Sequence, residues 1–143
     1  WFCDPGANAV AIMTSAGGVT SYPVPTPNAS PTDIDGEDGI GHLWFTEPGA
    51  SKVASITPSG TIVEYPIGAV PMAIVNGFTD IFVLTTQNNI VDVNSSTGTF
   101  TTLTPPNSAY GPVVGIDYDA GTGQLILLRS DGVTGAIQEL YYN

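Results

Sequence analysis

Carboxylates dominate the side chains of this sequence that could do chemistry. Thirteen acids stand against two basic residues, Lys52 and Arg129, and one histidine, His42, for a formal net charge of −11. The densest acidic run is DIDGEDG, whose acids are Asp33, Asp35, Glu37 and Asp38. Carboxylates at alternate positions beside glycine could wrap Ca²⁺, which takes about six to eight oxygen ligands. The run departs from the EF-hand spacing, and solvated turn acids are the alternative interpretation.

A second set of charges occupies equivalent positions in different repeats. Asp4 and Glu47 each end a strand before a Pro-Gly turn, and Arg129 takes that position further along. Such residues could ring a channel and grip a polar ligand, or they could be strand-end charges kept in water. His42 lies just before Leu43 in a predicted turn, so it is a turn residue or a weak candidate for a catalytic base.

Internal repetition predicts the elements that must position these residues. WFTEPGASKVASITPSGTIVEYP at Trp44–Pro66 aligns without a gap to WFCDPGANAVAIMTSAGGVTSYP at Trp1–Pro23, at an offset of 43 residues. Within each copy, β-branched and aromatic runs alternate with Pro- and Gly-containing turns, which is typical of short strands. Self-similarity at this period indicates a repeat architecture.

The repeats predict an all-β fold, a β-propeller of four-stranded blades of about 40 residues. The repeats span roughly residues 1–25, 31–68, 71–106 and 112–143, with three, four, four and three strands. We therefore expect about three and a half to four blades within a single partial propeller domain. It is either part of a longer propeller, completed by other chains in a homo-oligomer, or closed on itself.

Stacked blades bury the faces that one blade cannot cover alone. We expect the packing between blades to come from the side chains Trp44, Phe45, Ile56, Ile62 and Tyr65 and their equivalents. In the third repeat the pattern places Ile81 at the Trp44 position and Phe82 at the Phe45 position.

The net charge and two short sequence motifs limit which partners and which cellular location are expected. A strongly negative field disfavours nucleic acid and anionic membrane surfaces as partners. Asn28 and Asn94 begin glycosylation sequons, which favour a secreted, extracellular glycoprotein. Cys3 is the single cysteine, interpreted as a small buried hydrophobe or as a partner for a cysteine outside this chain.

The Trp44–Pro66 segment resembles the repeat of the streptogramin B lyase (virginiamycin B lyase) family, and the likeness is fainter in the third and fourth repeats. The resemblance implies a seven-bladed propeller. It also implies magnesium-assisted elimination that opens the ester of a cyclic depsipeptide, with a histidine base and carboxylates around the metal. His42 stands where that repeat usually carries Asn, and this sequence offers no second histidine to pair with it.

Three functions stay open from the sequence. The first is a secreted propeller that binds a glycan, a peptide or a partner protein through its loops. The second is a lyase of the streptogramin type, whose Mg²⁺ site is built from Asp35, Glu37, Asp38 and His42 or lies outside this chain. The third is a structural protein that self-assembles through open sheet edges.

Overall fold

The computed structural model describes residues 1–77, 79–105, 111–130 and 132, together with the backbone of 135–141. Apart from one short 3₁₀ turn at Pro48–Ala50, the regular elements of this part are strands. No helix in it has the length and apolar character that crossing a membrane requires. The strands are β1 Phe2–Asp4, β2 Ala9–Met13, β3 Val19–Pro23, β4 Ile34–Glu37, β5 Leu43–Glu47, β6 Lys52–Ile56, β7 Ile62–Pro66, β8 Pro71–Asn76, β9 Asp80–Thr85, β10 Ile90–Asn94, β11 Phe100–Leu103, β12 Val113–Asp119, β13 Gln124–Ser130 and β14 Gly135–Tyr141.

These strands form four antiparallel sheets in which neighbours in the chain are neighbours in the sheet. Blade 1 is β1–β3, blade 2 is β4–β7, blade 3 is β8–β11 and blade 4 is β12–β14. Such consecutive hairpins are the meander of a propeller blade. The predicted all-β propeller class, present here as a partial propeller, is confirmed.

The same tight turn recurs in blades 1 and 2, between their last two strands. Gly17 and Gly60 have φ of +85° and +89°, a left-handed conformation that glycine adopts without steric cost. Each donates its backbone N–H to the carbonyl of a threonine three residues earlier, Thr14 or Thr57, at 2.9 Å. The repeat therefore extends to the geometry of the turns.

The apolar core lies between the blades. Trp44 and Val53 face blade 3, where they meet Ile81 and Val83. Phe45, next in β5, faces blade 1, because successive side chains of a strand point to opposite sides of the sheet. The inter-blade packing predicted for Trp44, Phe45, Ile56, Ile62 and Tyr65 is confirmed.

The predicted alignment of the third repeat is wrong by one residue. Phe82 packs against blade 4 and stacks on Tyr118 with ring centroids 5.9 Å apart, so it occupies the position of Trp44. Ile81 packs back against blade 2. A shift of one residue in a strand exchanges its two faces, and only the facing of the side chains reveals it.

Antiparallel order gives the blades two edges that carry different residues. The connector face holds the segments between blades, such as residues 24–33 and 67–70, and the turns between second and third strands. The turn face holds the turns between first and second strands, such as 38–42 and 120–123. β4, β8 and β12 begin at the connector face and end at the turn face.

Candidate functional site

Two carboxylates of the acidic run bind the neighbouring blade. Asp33 Oδ2 accepts the backbone N–H of Ile74 at 2.9 Å, and Asp35 Oδ2 accepts that of Asn76 at 2.7 Å. Both donors belong to β8, the first strand of blade 3. These acids therefore tie blade 2 to blade 3.

Asp38 organises the turn that follows. Its Oδ1 accepts the backbone N–H groups of Ile40 and His42 at 3.0 and 2.9 Å, and its Oδ2 accepts the indole N–H of Trp44 at 2.8 Å. Burial acts to raise the pKa of Asp38, but the hydrogen bonds from Trp44 and from the backbone of His42 and Ile40 outweigh it and lower that pKa. The carboxylate is thus held ionised as an acceptor.

His42 is placed by this turn. Its Nδ1 lies 3.5 Å from Asp38 Oδ2, and its side chain is 28% exposed. The Asp38 oxygen nearest to it already accepts the Trp44 indole, so this contact belongs to the packing of the turn.

The side chains of the acidic run are not grouped around one point in the described structure. Asp33, Asp35 and Asp38 each accept backbone N–H groups, while Glu37 is exposed and offers its main-chain carbonyl to the Asn76 amide. Across the described residues, no three His, Cys, Asp or Glu side chains are grouped closely enough to hold a metal ion. The carboxylates of Asp33, Asp35 and Asp38 accept hydrogen bonds from the backbone, and that of Asp38 also accepts one from the Trp44 indole.

The three strand-end charges all lie at the connector face but have different local surroundings. Asp4 Oδ1 accepts the N–H of Ala7 at 3.0 Å within its own turn. Arg129 is 1% exposed, and its Nη1 donates to the carbonyl of Gly111 at 2.9 Å. Glu47 is fully buried and belongs to a cluster of its own.

That cluster combines Glu47 with Lys52, Glu64 and Thr26. The Lys52 Nζ lies 3.2 Å from Glu64 Oε2 and 2.7 Å from Thr26 Oγ1. Glu64 also accepts the backbone N–H of Thr26 at 3.0 Å and its hydroxyl at 2.9 Å. Blade 2 thereby grips the connector that leaves blade 1. The sequence singled out Glu47 alone; the Glu-Lys-Glu spacing across three paired strands was the available signal for the rest.

Charge is distributed unequally between the two faces. Lys52 and Arg129, the two basic residues of the sequence, both lie at the connector face. The turn face carries carboxylates from three blades, namely Glu37, Asp38, Asp80, Asp117 and Asp119. Asp119 folds its own turn, because its carboxylate accepts Gly121 N–H and the Thr122 hydroxyl at 2.8 and 2.7 Å.

The remaining predicted positions differ in exposure. Asn28 is exposed in the connector, while Asn94 Oδ1 accepts the backbone N–H groups of Ser96 and Thr97 at 3.2 and 3.0 Å. Cys3 is half-buried against the core between blades 1 and 2, and burial, with a smaller contribution from Asp33, raises the pKa of its thiol to about 12.

A model of the virginiamycin B lyase family matches residues 1–128. Among solved structures, virginiamycin B lyase from Staphylococcus aureus superposes with a TM-score of 0.76 and 26% identity over 95% of this chain and 49% of that one. A catalytically inactive variant of that lyase with quinupristin gives 0.78 and 27%, covering 96% and 50%. A streptogramin B lyase gives 0.71 and 27%, covering 95% and 48%.

A nidogen/laminin complex matches with a TM-score of 0.68 at 12% identity, over 86% of this chain and 48% of that one, a likeness of fold alone. Among curated proteins none matches the chain. The chain spans about half the length of the lyase structures it resembles.

Proposed function

The chain belongs to the virginiamycin B lyase family, and on that premise we propose that it is an extracellular binding module that recognises a peptide, glycan or partner protein through its turn face. The observation that carries this proposal is the separation of charge between the two faces. The turn face carries acidic residues from three blades and no lysine or arginine, because both basic residues of the sequence lie at the connector face. A uniformly negative surface attracts partners with basic groups and speeds their encounter. The exposed sequon at Asn28 supports an extracellular location.

The test is a binding screen with the 143-residue chain immobilised, probed with basic peptides and with neutral glycans at low and high salt. The informative variant is Glu37→Gln with Asp117→Asn, since both side chains are exposed at the turn face. Asp4→Asn at the connector face is the matched control. We expect salt-sensitive binding that the double variant weakens and the control retains. Equal binding by the wild type and the double variant, or no binding in the screen, would reject this function.

A second candidate is a lyase, favoured by the family match and by the solved relative with quinupristin. In such an elimination a base removes a proton, the ester C–O bond breaks, and the ring opens without a change in mass. The test incubates the chain with quinupristin and Mg²⁺, with EDTA as the control, and follows the chromatographic retention of a product of unchanged mass. An EDTA-sensitive product supports the lyase, and unchanged quinupristin rejects it for this chain.

A further inference from the structure

Glu47 is a buried carboxyl group that lacks a hydrogen-bond partner. It is the last residue of β5 and 0% exposed. Within the described part of the chain, neither Oε1 nor Oε2 forms a hydrogen bond, although the Glu64 carboxylate lies close enough to raise the pKa of Glu47. Leaving a polar group unpaired inside a protein costs free energy, and a bare charge costs far more than a neutral group.

The nearby cation is already engaged. Lys52 faces Glu47 across the β5–β6 pair, yet its ammonium forms its ion pair with Glu64 and its hydrogen bond with Thr26. Burial acts to raise the pKa of Glu64, but the bonds from Thr26 and from Lys52 outweigh it and lower that pKa. Glu64 and Lys52 thus neutralise one another, and an ionised Glu47 would add one uncompensated negative charge.

We propose that Glu47 holds a proton at neutral pH and acts as a pH-sensitive latch, whose ionisation loosens the Thr26 connector from blade 2. The charged groups that face it are Glu64 from β7 and Lys52 from β6, while the connector 25–31 contributes no titratable side chain. Asp33, immediately before β4, is directed to blade 3. When Glu47 ionises, its carboxylate and that of Glu64 repel each other and compete for the single ammonium of Lys52. The contacts that this repulsion weakens are those from Thr26 to Glu64.

Electrostatics agrees with this geometry. Burial raises the pKa of Glu47 most, the neighbouring Glu64 raises it further, and Lys52 opposes them only in part, so the pKa is about 8 instead of 4.5. The folded state therefore binds this proton more tightly than the unfolded chain does. Its stabilising effect is complete below the unfolded pKa of 4.5 and is lost as the pH rises through about 8.

Two NMR measurements on the 143-residue chain test the latch. The first follows the side-chain carboxyl ¹³C shift of Glu47 between about pH 5 and pH 10, a range that brackets the expected midpoint. The second follows hydrogen-exchange protection of the Thr26 amide, which donates to Glu64, in the wild type and in Glu47→Gln. The Ser30 amide is the internal control, because it lies in the same connector but donates to the neutral Asn8 side chain at 3.0 Å.

We expect Glu47 to titrate near pH 8. Hydrogen-exchange protection of the Thr26 amide should fall about tenfold or more through that transition, because repulsion between an ionised Glu47 and Glu64 weakens the hydrogen bond from the Thr26 N–H to the charged Glu64 carboxylate. Glu47→Gln should keep Thr26 protected, and Ser30 should stay protected in both proteins. A Glu47 midpoint near its ordinary value, or the same Thr26 profile in both proteins, would overturn the proposal. The wild-type titration alone decides the first point if the variant does not fold.

Discussion

The contact between Gly60 and Tyr22 makes a sharp prediction about how blades lock together. A Cβ added at Gly60 would lie 2.0 Å from Cε1 and 2.4 Å from Cδ1 of the Tyr22 ring, which belongs to the preceding blade. That ring also stacks on Trp1, with centroids 5.4 Å apart. Gly60→Ala must therefore move a ring that is packed on both sides. Gly17 occupies the same turn in blade 1 with nothing within 4 Å, so Gly17→Ala is a matched control.

The magnitude separates into two contributions. Both substitutions place alanine at a left-handed φ, which costs about 1–2 kcal/mol. Gly60→Ala adds the overpacking of Tyr22, about 1–3 kcal/mol, and the loss of its ring pair, about 0.5–1.5 kcal/mol. We therefore expect Gly60→Ala to lower the free energy of unfolding by about 2–4 kcal/mol more than Gly17→Ala does.

Urea unfolding of the wild type and both variants measures the difference. Tyr22→Ala supplies the decisive background, because without the ring Gly60→Ala should cost no more than Gly17→Ala. Equal costs for Gly60→Ala and Gly17→Ala in the wild-type background would refute the argument that Tyr22 locks blade 1 onto blade 2.

Three further predictions use the same unfolding assay. Asp38→Ala should lower the free energy of unfolding by about 2–4 kcal/mol, because three donors lose a charged acceptor. Since the pKa of Asp38 is lowered in the folded state, the stabilisation by its carboxylate should be complete above its ordinary pKa and should be lost as the pH falls through the lowered, folded-state pKa. A stability difference between wild type and Asp38→Ala that does not shrink in acid would contradict this. Gly49→Ala should destabilise more than Gly17→Ala, because its Cβ would lie 2.1 Å from the backbone oxygen of Asn28, which no side-chain rotation can relieve. Phe82→Trp should be tolerated better than Ile81→Trp, which should cost about 1–3 kcal/mol by overpacking; the reverse order would support the alignment that the structure corrects.

The fold could be predicted from the sequence because each propeller blade repeats the same pattern of buried apolar residues and turn residues. The Trp1 and Trp44 copies share a gapless alignment, and their strands, turns and inter-blade faces follow it. The third repeat differs because the segment between the paired residues Leu84 and Ile90 is one residue shorter than the segment between the equivalent pair Thr46 and Val53. Matching Phe45 to Phe82 by residue type therefore shifted the strand by one position, and alternation turned that small error into exchanged faces.

The candidate site was less accessible because its contacts join distant residues. Asp33 and Asp35 bind backbone groups 41 positions away, in the first strand of the next blade. Nothing in the local pattern DIDGEDG distinguishes such acceptors from metal ligands. The hydrogen-bond partner of each carboxylate depends on the relative position of neighbouring blades, and a single sequence does not contain that information.

Each junction between blades combines an apolar face with at least one directional tie. Apart from Asp33 and Asp35 between blades 2 and 3, the Thr26 N–H meets Glu64 between blades 1 and 2, and the Val113 N–H meets Asn88 Oδ1 at 2.7 Å between blades 3 and 4. Apolar contact is non-directional and lets one sheet slide on another. A carboxylate or amide oxygen aimed at one backbone N–H fixes the register, most strongly when the acceptor is charged. The carboxylates of Asp33, Asp35 and Glu64 therefore serve to align the blades. A functional role is to be sought first at Glu37 on the surface and at Glu47 inside, which take no part in these ties.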